Sequence, residues 1–240
     1  MIKVHNTNVN YIQYGKGKDI ILLHGWGQNI EMMKPLGDPL STKYRITILD
    51  FPGFGASSEP TVAWTIQDYA DMVHELVEKL QIKKPVIIGH SFGGRVAICY
   101  ASCYEVEKVV LFGAPCVRTK TELSTKEKLL KKAKQLPGMK KVAEYAKNYI
   151  GSRDYKAATP MMRDILVKTV NEDLSPYAKK IKAPTLLIWG EYDSEAHLEE
   201  AKLLEKLLED GALIVLPGTH YAYLENLQQV IHIIFKFMEG

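Results

Sequence analysis

At 240 residues, with 46% hydrophobic and 25% charged residues, the chain can bury a full core and has an ordinary globular composition. A formal net charge of +3 is too small to argue for a nucleic-acid partner. Met1 to Asn6 has no signal-peptide core, and no apolar run approaches the ~18 residues of a membrane span, so no membrane contact and a cytoplasmic location are expected.

In chain order, Val9 to Tyr14 alternates as a strand does, and Ile2 to His5 is placed to pair with it as a hairpin. Ile20-Ile21-Leu22-Leu23 is a continuous apolar run, the sign of a strand covered on both faces of a parallel sheet. It runs into His24-Gly25-Trp26-Gly27-Gln28-Asn29. Arg45 to Leu49 repeats the pattern and ends in Asp50-Phe51-Pro52-Gly53-Phe54-Gly55-Ala56-Ser57. Ile66, Tyr69, Ala70, Val73, Leu76, Val77 and Leu80 have the three-and-four spacing of an amphipathic helix. Further buried strands are read at Val86–Ile88, Lys108–Phe112, Thr185–Trp189 and Ala212–Leu216. Helices are read around Leu198–Leu208 and from Leu224 to Met238. Strands alternating with helices give a mostly parallel α/β sheet.

The rhythm breaks between Phe112 and Pro184. Ser124-Thr125-Lys126-Glu127 is a capping box opening a helix with Leu129, Leu130, Ala133 and Leu136 inward. Met139, Val142, Ala143, Ala146, Tyr149 and Ile150 form a second apolar stripe, and Met161 to Val170 a third helix. Residues 115–182 therefore read as a helical cap inserted into a core of residues 1–114 and 183–240. The first half of the cap is basic, with Arg118, Lys120, Lys126, Lys128, Lys131, Lys132, Lys134, Lys140, Lys141 and Lys147 against Glu122, Glu127 and Glu144. A solvated helix face accounts for this run; an anion-attracting docking patch for an acidic carrier is the sharper reading.

Chemistry concentrates at Gly89-His90-Ser91-Phe92-Gly93-Gly94, which follows the Val86 strand and opens a helix. A serine hydroxyl is a weak nucleophile unless it is exposed and set beside a base, and a tight strand-to-helix turn presents it that way. A Cβ at Gly89 or Gly93 would collide with facing backbone. Seven histidines compete for the role of base: His5, His24, His74, His90, His197, His220 and His232. His74 and His232 fall within helices and His5 on the N-terminal hairpin. His220 lies in the loop after the last strand, at the sheet edge where open α/β folds bind ligands. His197 is its rival, read as lying in a helix that Ser194 caps. Asp193 follows the Thr185–Trp189 strand and is the candidate acid, with Glu191 and Glu195 as alternatives. The chain order is Ser91, Asp193, His220. The oxyanion donors are expected at the backbone N–H groups of Phe92 and Trp26. Trp26, Phe92, Met161 and Met162 are candidates for lining the acyl pocket. Cys99, Cys103 and Cys116 make no disulfide framework, and without Cys-x-x-Cys or His-Glu-x-x-His no metal is expected.

These five segments, His24–Gly27, Asp50–Ser57, Gly89–Gly94, Trp189–Asp193 and Gly218–His220, in this order, resemble the α/β-hydrolase superfamily over nearly the whole chain. The resemblance implies an eight-stranded sheet with the second strand antiparallel, a cap after the sixth strand, and no cofactor. Gly25–Asn29 and Leu49–Gly55 are similar to small bacterial carboxylesterases, a group that includes the pimeloyl-carrier-protein methyl ester carboxylesterase of biotin synthesis. In that relative the basic cap binds an acyl-carrier protein. Ser194-Glu195-Ala196-His197 departs from the Val-Pro often found after the acid. A serine nucleophile sets the chain apart from the haloalkane dehalogenases and epoxide hydrolases of this fold, which use aspartate. The expected activity is hydrolysis of a small acyl ester. The alternatives are carbon–carbon bond hydrolysis of a diketone, or a slow-turnover ligand receptor.

Overall fold

The computed structural model describes residues 1–117 and 153–240. The strands are β1 (Ile2–Val4), β2 (Thr7–Val9), β3 (Tyr11–Gly15), β4 (Asp19–Leu23), β5 (Arg45–Leu49), β6 (Val86–His90), β7 (Val109–Phe112), β8 (Thr185–Gly190) and β9 (Gly211–Leu216). The described helices are α1 (Ile30–Leu40), α2 (Ile66–Lys79), α3 (Phe92–Cys103), α4 (Arg153–Ala157), α5 (Pro160–Asn171), α6 (Ser175–Ala178), α7 (Leu198–Leu207), α8 (Ala222–Glu225) and α9 (Leu227–Glu239). The helices expected at 124–136 and 139–150, and the basic residues from Arg118 to Lys147, lie outside the described residues. No described helix is long and apolar enough to cross a membrane.

Seven strands form the central sheet in the order β3-β5-β4-β6-β7-β8-β9. β3 is antiparallel to β5, and all other pairs are parallel. The continuous apolar runs are explained by cover on both faces. Ile21, Leu23, Ile87, Val109, Leu111 and Leu187 pack toward α2, α3, α6 and α7. Their neighbours Ile20, Leu22, Ile46, Ile48, Val86, Ile88, Val110 and Phe112 pack toward α1 and α9. With every second side chain going to each helix layer, β6, β7 and β8 leave no position for water. The run read as a buried strand at Ala212–Leu216 is instead the edge strand β9, which exposes Ala212 and Val215 because no strand lies beyond it.

The sheet departs from the expected eight strands. β1 and β2 form a separate two-stranded ribbon, closed by a two-residue turn with positive φ at His5 and Asn6. The cause lies at Asn10, the single residue between β2 and β3. Its carbonyl accepts from the Asp50 N–H and its own N–H donates to Ser57 Oγ, while Asn8 O accepts from Ser58 N–H. The chain ahead of β3 is thus bound to the 50–58 loop rather than folded back along the edge of β3.

Helix α1 has no counterpart in the sequence reading and contains Pro35 and Pro39. It forms because Ile30, Met33, Leu36 and Leu40 are buried on one stripe, with Asn29 Oδ1 accepting from the Glu31 N–H at 3.0 Å as the N-cap. The C-terminal helix is also broken in two. The Asn226 side chain donates to the carbonyls of Pro217 and Ala222 at the break between α8 and α9. Helix α7 starts at Leu198 with His197 as its N-cap residue, so Ser194 does not cap it and His197 is not inside it.

Candidate active site

Ser91 sits between β6 and α3 with φ 51° and ψ −113°, a conformation that L-residues other than glycine rarely hold. The surroundings impose it. The Ser91 N–H donates to Phe112 O on β7 at 2.8 Å, and Arg95 N–H returns to Ser91 O at 3.0 Å. A Cβ on Gly89 would lie 2.4 Å from Gly93 O, and one on Gly93 would lie 2.3 Å from Leu23 O. The turn therefore closes only with glycine at both places, as the spacing predicts.

Two loops from the next strands meet at this corner. Gly190 ends β8 where a Cβ would come within 2.1 Å of Thr219 O, so the 190–196 loop and the 217–220 loop can lie against each other. Tyr192 N–H then donates to Gly218 O, and Glu191 N–H to Leu216 O, both at 2.9 Å. The carboxylate of Asp193 is buried there. Its Oδ1 accepts from the N–H groups of Glu195 (2.9 Å) and Ala196 (2.8 Å), and its Oδ2 lies 2.8 Å from His220 Nδ1. Burial pushes the Asp193 carboxyl up. The His220 contact and the two N–H donors outweigh burial and hold it below its ordinary value. With a carboxylate as partner, Nδ1 carries the His220 proton and Nε2 is left with a lone pair. Of the three carboxylates after β8, Asp193 is the one whose oxygen meets Nδ1. Glu195 is mostly exposed and has Oε2 3.7 Å from Nε2.

His220 and Ser91 lie against the same stretch of β7. Phe112 O takes the Ser91 N–H, and the His220 ring rests on Gly113, where a Cβ would be 3.0 Å from Cε1. His90, one residue before Ser91, donates from Nε2 to the His220 carbonyl at 3.0 Å, with the two rings 4.8 Å apart. Burial, followed by the neighbouring His220, drives the His90 imidazole down to about 3, so it is neutral. His90 is a tie between strand and loop rather than a base. Ser91 Oγ forms no hydrogen bond to His220 among the described residues.

The loop after β4 borders this corner. His24 Nδ1 donates to Gly25 O at 2.7 Å, and its Nε2 accepts the Phe51 N–H at 2.9 Å. Burial lowers this ring to about 4, which fixes it as neutral and structural. Gln28 Oε1 accepts from Gly25 N–H at 2.9 Å and shapes the turn that carries Trp26. Phe92 is the first residue of α3, so its N–H is among the helix donors without an intrahelical acceptor. The Trp26 and Phe92 rings meet edge to face at 5.3 Å, and Phe54 packs on Trp26 at 4.8 Å. From α5, Met162 is buried over Gly53, where a Cβ would lie 2.2 Å from its Sδ, and Met161 is half-buried on the same cluster.

Arg95, one helical turn after Ser91, had no role in the sequence reading. Its buried guanidinium donates to the carbonyls of Pro115 (2.5 Å), Thr169 (2.8 Å) and Glu172 (2.6 Å). It clamps the end of α5 to the exit of β7. Nothing local signals this, because the acceptors are main-chain atoms 20 to 77 residues away.

Residues 19–141 match a family model described as the alpha/beta hydrolase fold. The chain is 28% identical over 251 residues to the pimeloyl-[acyl-carrier protein] methyl ester esterase of Nitrosospira multiformis, covering 93% of this chain and 95% of that protein. Among solved structures, an esterase from Exiguobacterium antarcticum superimposes with a TM-score of 0.79 at 20% identity, over 100% of this chain and 98% of the other. The meta-cleavage product hydrolase of Pseudomonas fluorescens superimposes with a TM-score of 0.77 at 22% identity, over 99% and 96%. At these identities the two superpositions establish a shared fold.

Proposed function

The chain belongs to the alpha/beta hydrolase fold family and is a hydrolase, and from that premise we propose that it cleaves a small carboxylic ester through Ser91, His220 and Asp193. The observation that carries the reading is the 2.8 Å contact between buried Asp193 and His220 Nδ1, beside a serine held at positive φ on a strand-to-helix turn. That contact leaves Nε2 free to work as a base.

In this mechanism His220 Nε2 takes the Ser91 proton while Oγ attacks the ester carbonyl carbon. The oxygen that gains charge is held by the N–H groups of Trp26 and Phe92, and each such donor contributes ~100-fold or more in rate. His220 passes its proton to the departing alcohol, leaving an acyl-serine. Water, deprotonated by the same nitrogen, then attacks the acyl carbon and releases the acid. Asp193 keeps Nδ1 protonated and stabilises the imidazolium formed in both steps. Trp26, Phe92, Met161 and Met162 are taken as the acyl-pocket wall, and residues 115–182 as a cap over it. The name of the Nitrosospira relative supports an ester carried on an acyl-carrier protein as one substrate, with the lysines of the cap as its contact. A cytoplasmic location belongs to the same reading.

The test is hydrolysis of p-nitrophenyl acetate, butyrate and octanoate by wild type, Ser91→Ala and Asp193→Asn. Turnover by the wild type is expected, with Ser91→Ala at background and Asp193→Asn reduced ~10⁴-fold. Full activity in Ser91→Ala overturns the mechanism. A wild type inert on all three esters moves the reading to carbon–carbon bond hydrolysis of a diketone, or to slow ligand reception.

A further inference from the structure

The proposed mechanism leaves one charged group at its centre unused. Glu195 Oε2 lies 3.7 Å from His220 Nε2, the nitrogen on the substrate side of the ring. Its main chain is held in place: the Glu195 N–H donates to Asp193 Oδ1, and the next residue, Ala196, is buried, with its carbonyl accepting the Trp189 indole N–H at 2.6 Å. The side chain itself is 63% exposed. Among the described residues its one ion contact is His220, so no lysine or arginine there neutralises it.

We propose that Glu195 is a specificity-determining residue that selects esters whose leaving alcohol carries a positive charge and disfavours those whose alcohol is anionic. The inference rests on the Ser91–His220 reading, because general-acid catalysis requires the leaving oxygen to come within hydrogen-bond reach of Nε2. An atom that close to Nε2 has Glu195 as its neighbour on the solvent side. A charge three bonds beyond the leaving oxygen, where acetylcholine carries its ammonium, then sits ~6 Å from the carboxylate. At the high effective dielectric of an exposed site, that separation favours a cation by about three- to tenfold, and it disfavours an anion by the same factor. Glu191, on the same loop and exposed, has the same sign and does not oppose the effect. Asp193 is already paired with Nδ1 on the far edge of the ring, and the neutral His90 adds no charge.

The experiment compares kcat/KM for acetylcholine with that for its neutral isostere 3,3-dimethylbutyl acetate and for the anionic 3-acetoxypropane-1-sulfonate. The enzymes are wild type, Glu195→Gln and Glu195→Lys. Taking each preference relative to the isostere, and then wild type relative to variant, cancels the intrinsic reactivity of the esters. The cationic preference is expected to fall about three- to tenfold in Glu195→Gln and to reverse in Glu195→Lys. The difference should collapse in ~1 M salt, where the screening length is ~3 Å. If the wild type hydrolyses all three esters, Ser91→Ala does not, and the preferences of wild type and Glu195→Gln agree within twofold, the esterase reading stands and the Glu195 proposal is overturned. If the wild type hydrolyses p-nitrophenyl acetate but none of these three esters above the Ser91→Ala background, the Glu195 proposal alone is overturned; if it hydrolyses neither these nor the p-nitrophenyl esters, the esterase reading falls and takes the proposal with it.

Discussion

Two imidazoles buried beside Ser91 and His220 make acid stability a sharp test of the packing. His24 and His90 are held neutral by burial, at about 4 and about 3. In the unfolded chain each titrates near ~6.5. Between those values the unfolded state binds the proton and the folded state does not, so stability is full above pH ~6.5 and falls as the pH drops toward the folded values. Lowering the pH from 7 to 5 then costs ~2 kcal/mol per ring, about 4 kcal/mol for the pair. Asp193 does not contribute in that window. Its folded value is depressed, so its stabilisation is lost only below the ordinary carboxylate range, near pH ~4. The variant that isolates one ring is His90→Gln, whose carboxamide N–H can replace the 3.0 Å bond from Nε2 to His220 O. Urea unfolding followed by circular dichroism at pH 7 and pH 5 should show the variant losing ~2 kcal/mol less than wild type over that interval. An identical loss in the two proteins would refute the argument, because it would mean that His90 takes up its proton in the folded state as readily as in the unfolded one.

Three further changes test other parts of the structure. Gly93→Ala sets a Cβ 2.3 Å from Leu23 O and 2.6 Å from His24 O, both main-chain atoms that cannot turn aside. It should lower stability by ~1–3 kcal/mol and cut ester hydrolysis more than tenfold, and a thermal melt with a p-nitrophenyl acetate assay decides it. Arg95→Met strips the donors from the carbonyls of Pro115, Thr169 and Glu172. Hydrogen exchange should quicken at the Leu174 amide, which donates to Cys116 O beside the clamp; unchanged protection there would show that Arg95 does not hold this segment. Asp50→Asn meets a site where the carboxylate accepts from Ile30 N–H, Ala56 N–H and Asn10 Nδ2. An amide turns a donor toward these donors, so denaturant titration should register a loss of ~2–4 kcal/mol.

The elements legible in the linear chain are those whose cause is local. Ile20–Leu23 and Val86–Ile88 read as doubly covered strands because a run with no polar member has only one comfortable place in a sheet. Gly89 and Gly93 could be assigned because the turn between β6 and α3 is closed by atoms four residues apart. Asp193 and His220 were selected because each follows a strand, and the strand ends share one edge of the sheet. That rule singles out a loop more sharply than a residue. Glu191, Asp193 and Glu195 all satisfied it; the turn in which Oδ1 of Asp193 takes the N–H groups of Glu195 and Ala196 decided which carboxylate faces Nδ1 and which faces Nε2.

Other features depend on partners distant in sequence. Pro35 and Pro39 argue against a helix at Ile30–Leu40, and only the burial of its apolar stripe against β5 and α9 overrides them. The two N-terminal strands leave the sheet because of bonds between Asn10 and residues 40 to 47 positions later. His90 ties down a carbonyl 130 residues away, and Arg95 clamps carbonyls up to 77 residues away. Side-chain type and spacing specify what a short segment can do with its own backbone. Which main-chain atom a buried imidazole or guanidinium meets is settled when the sheet and its helix layers close around it, because only then is the group shut off from water and left with protein acceptors.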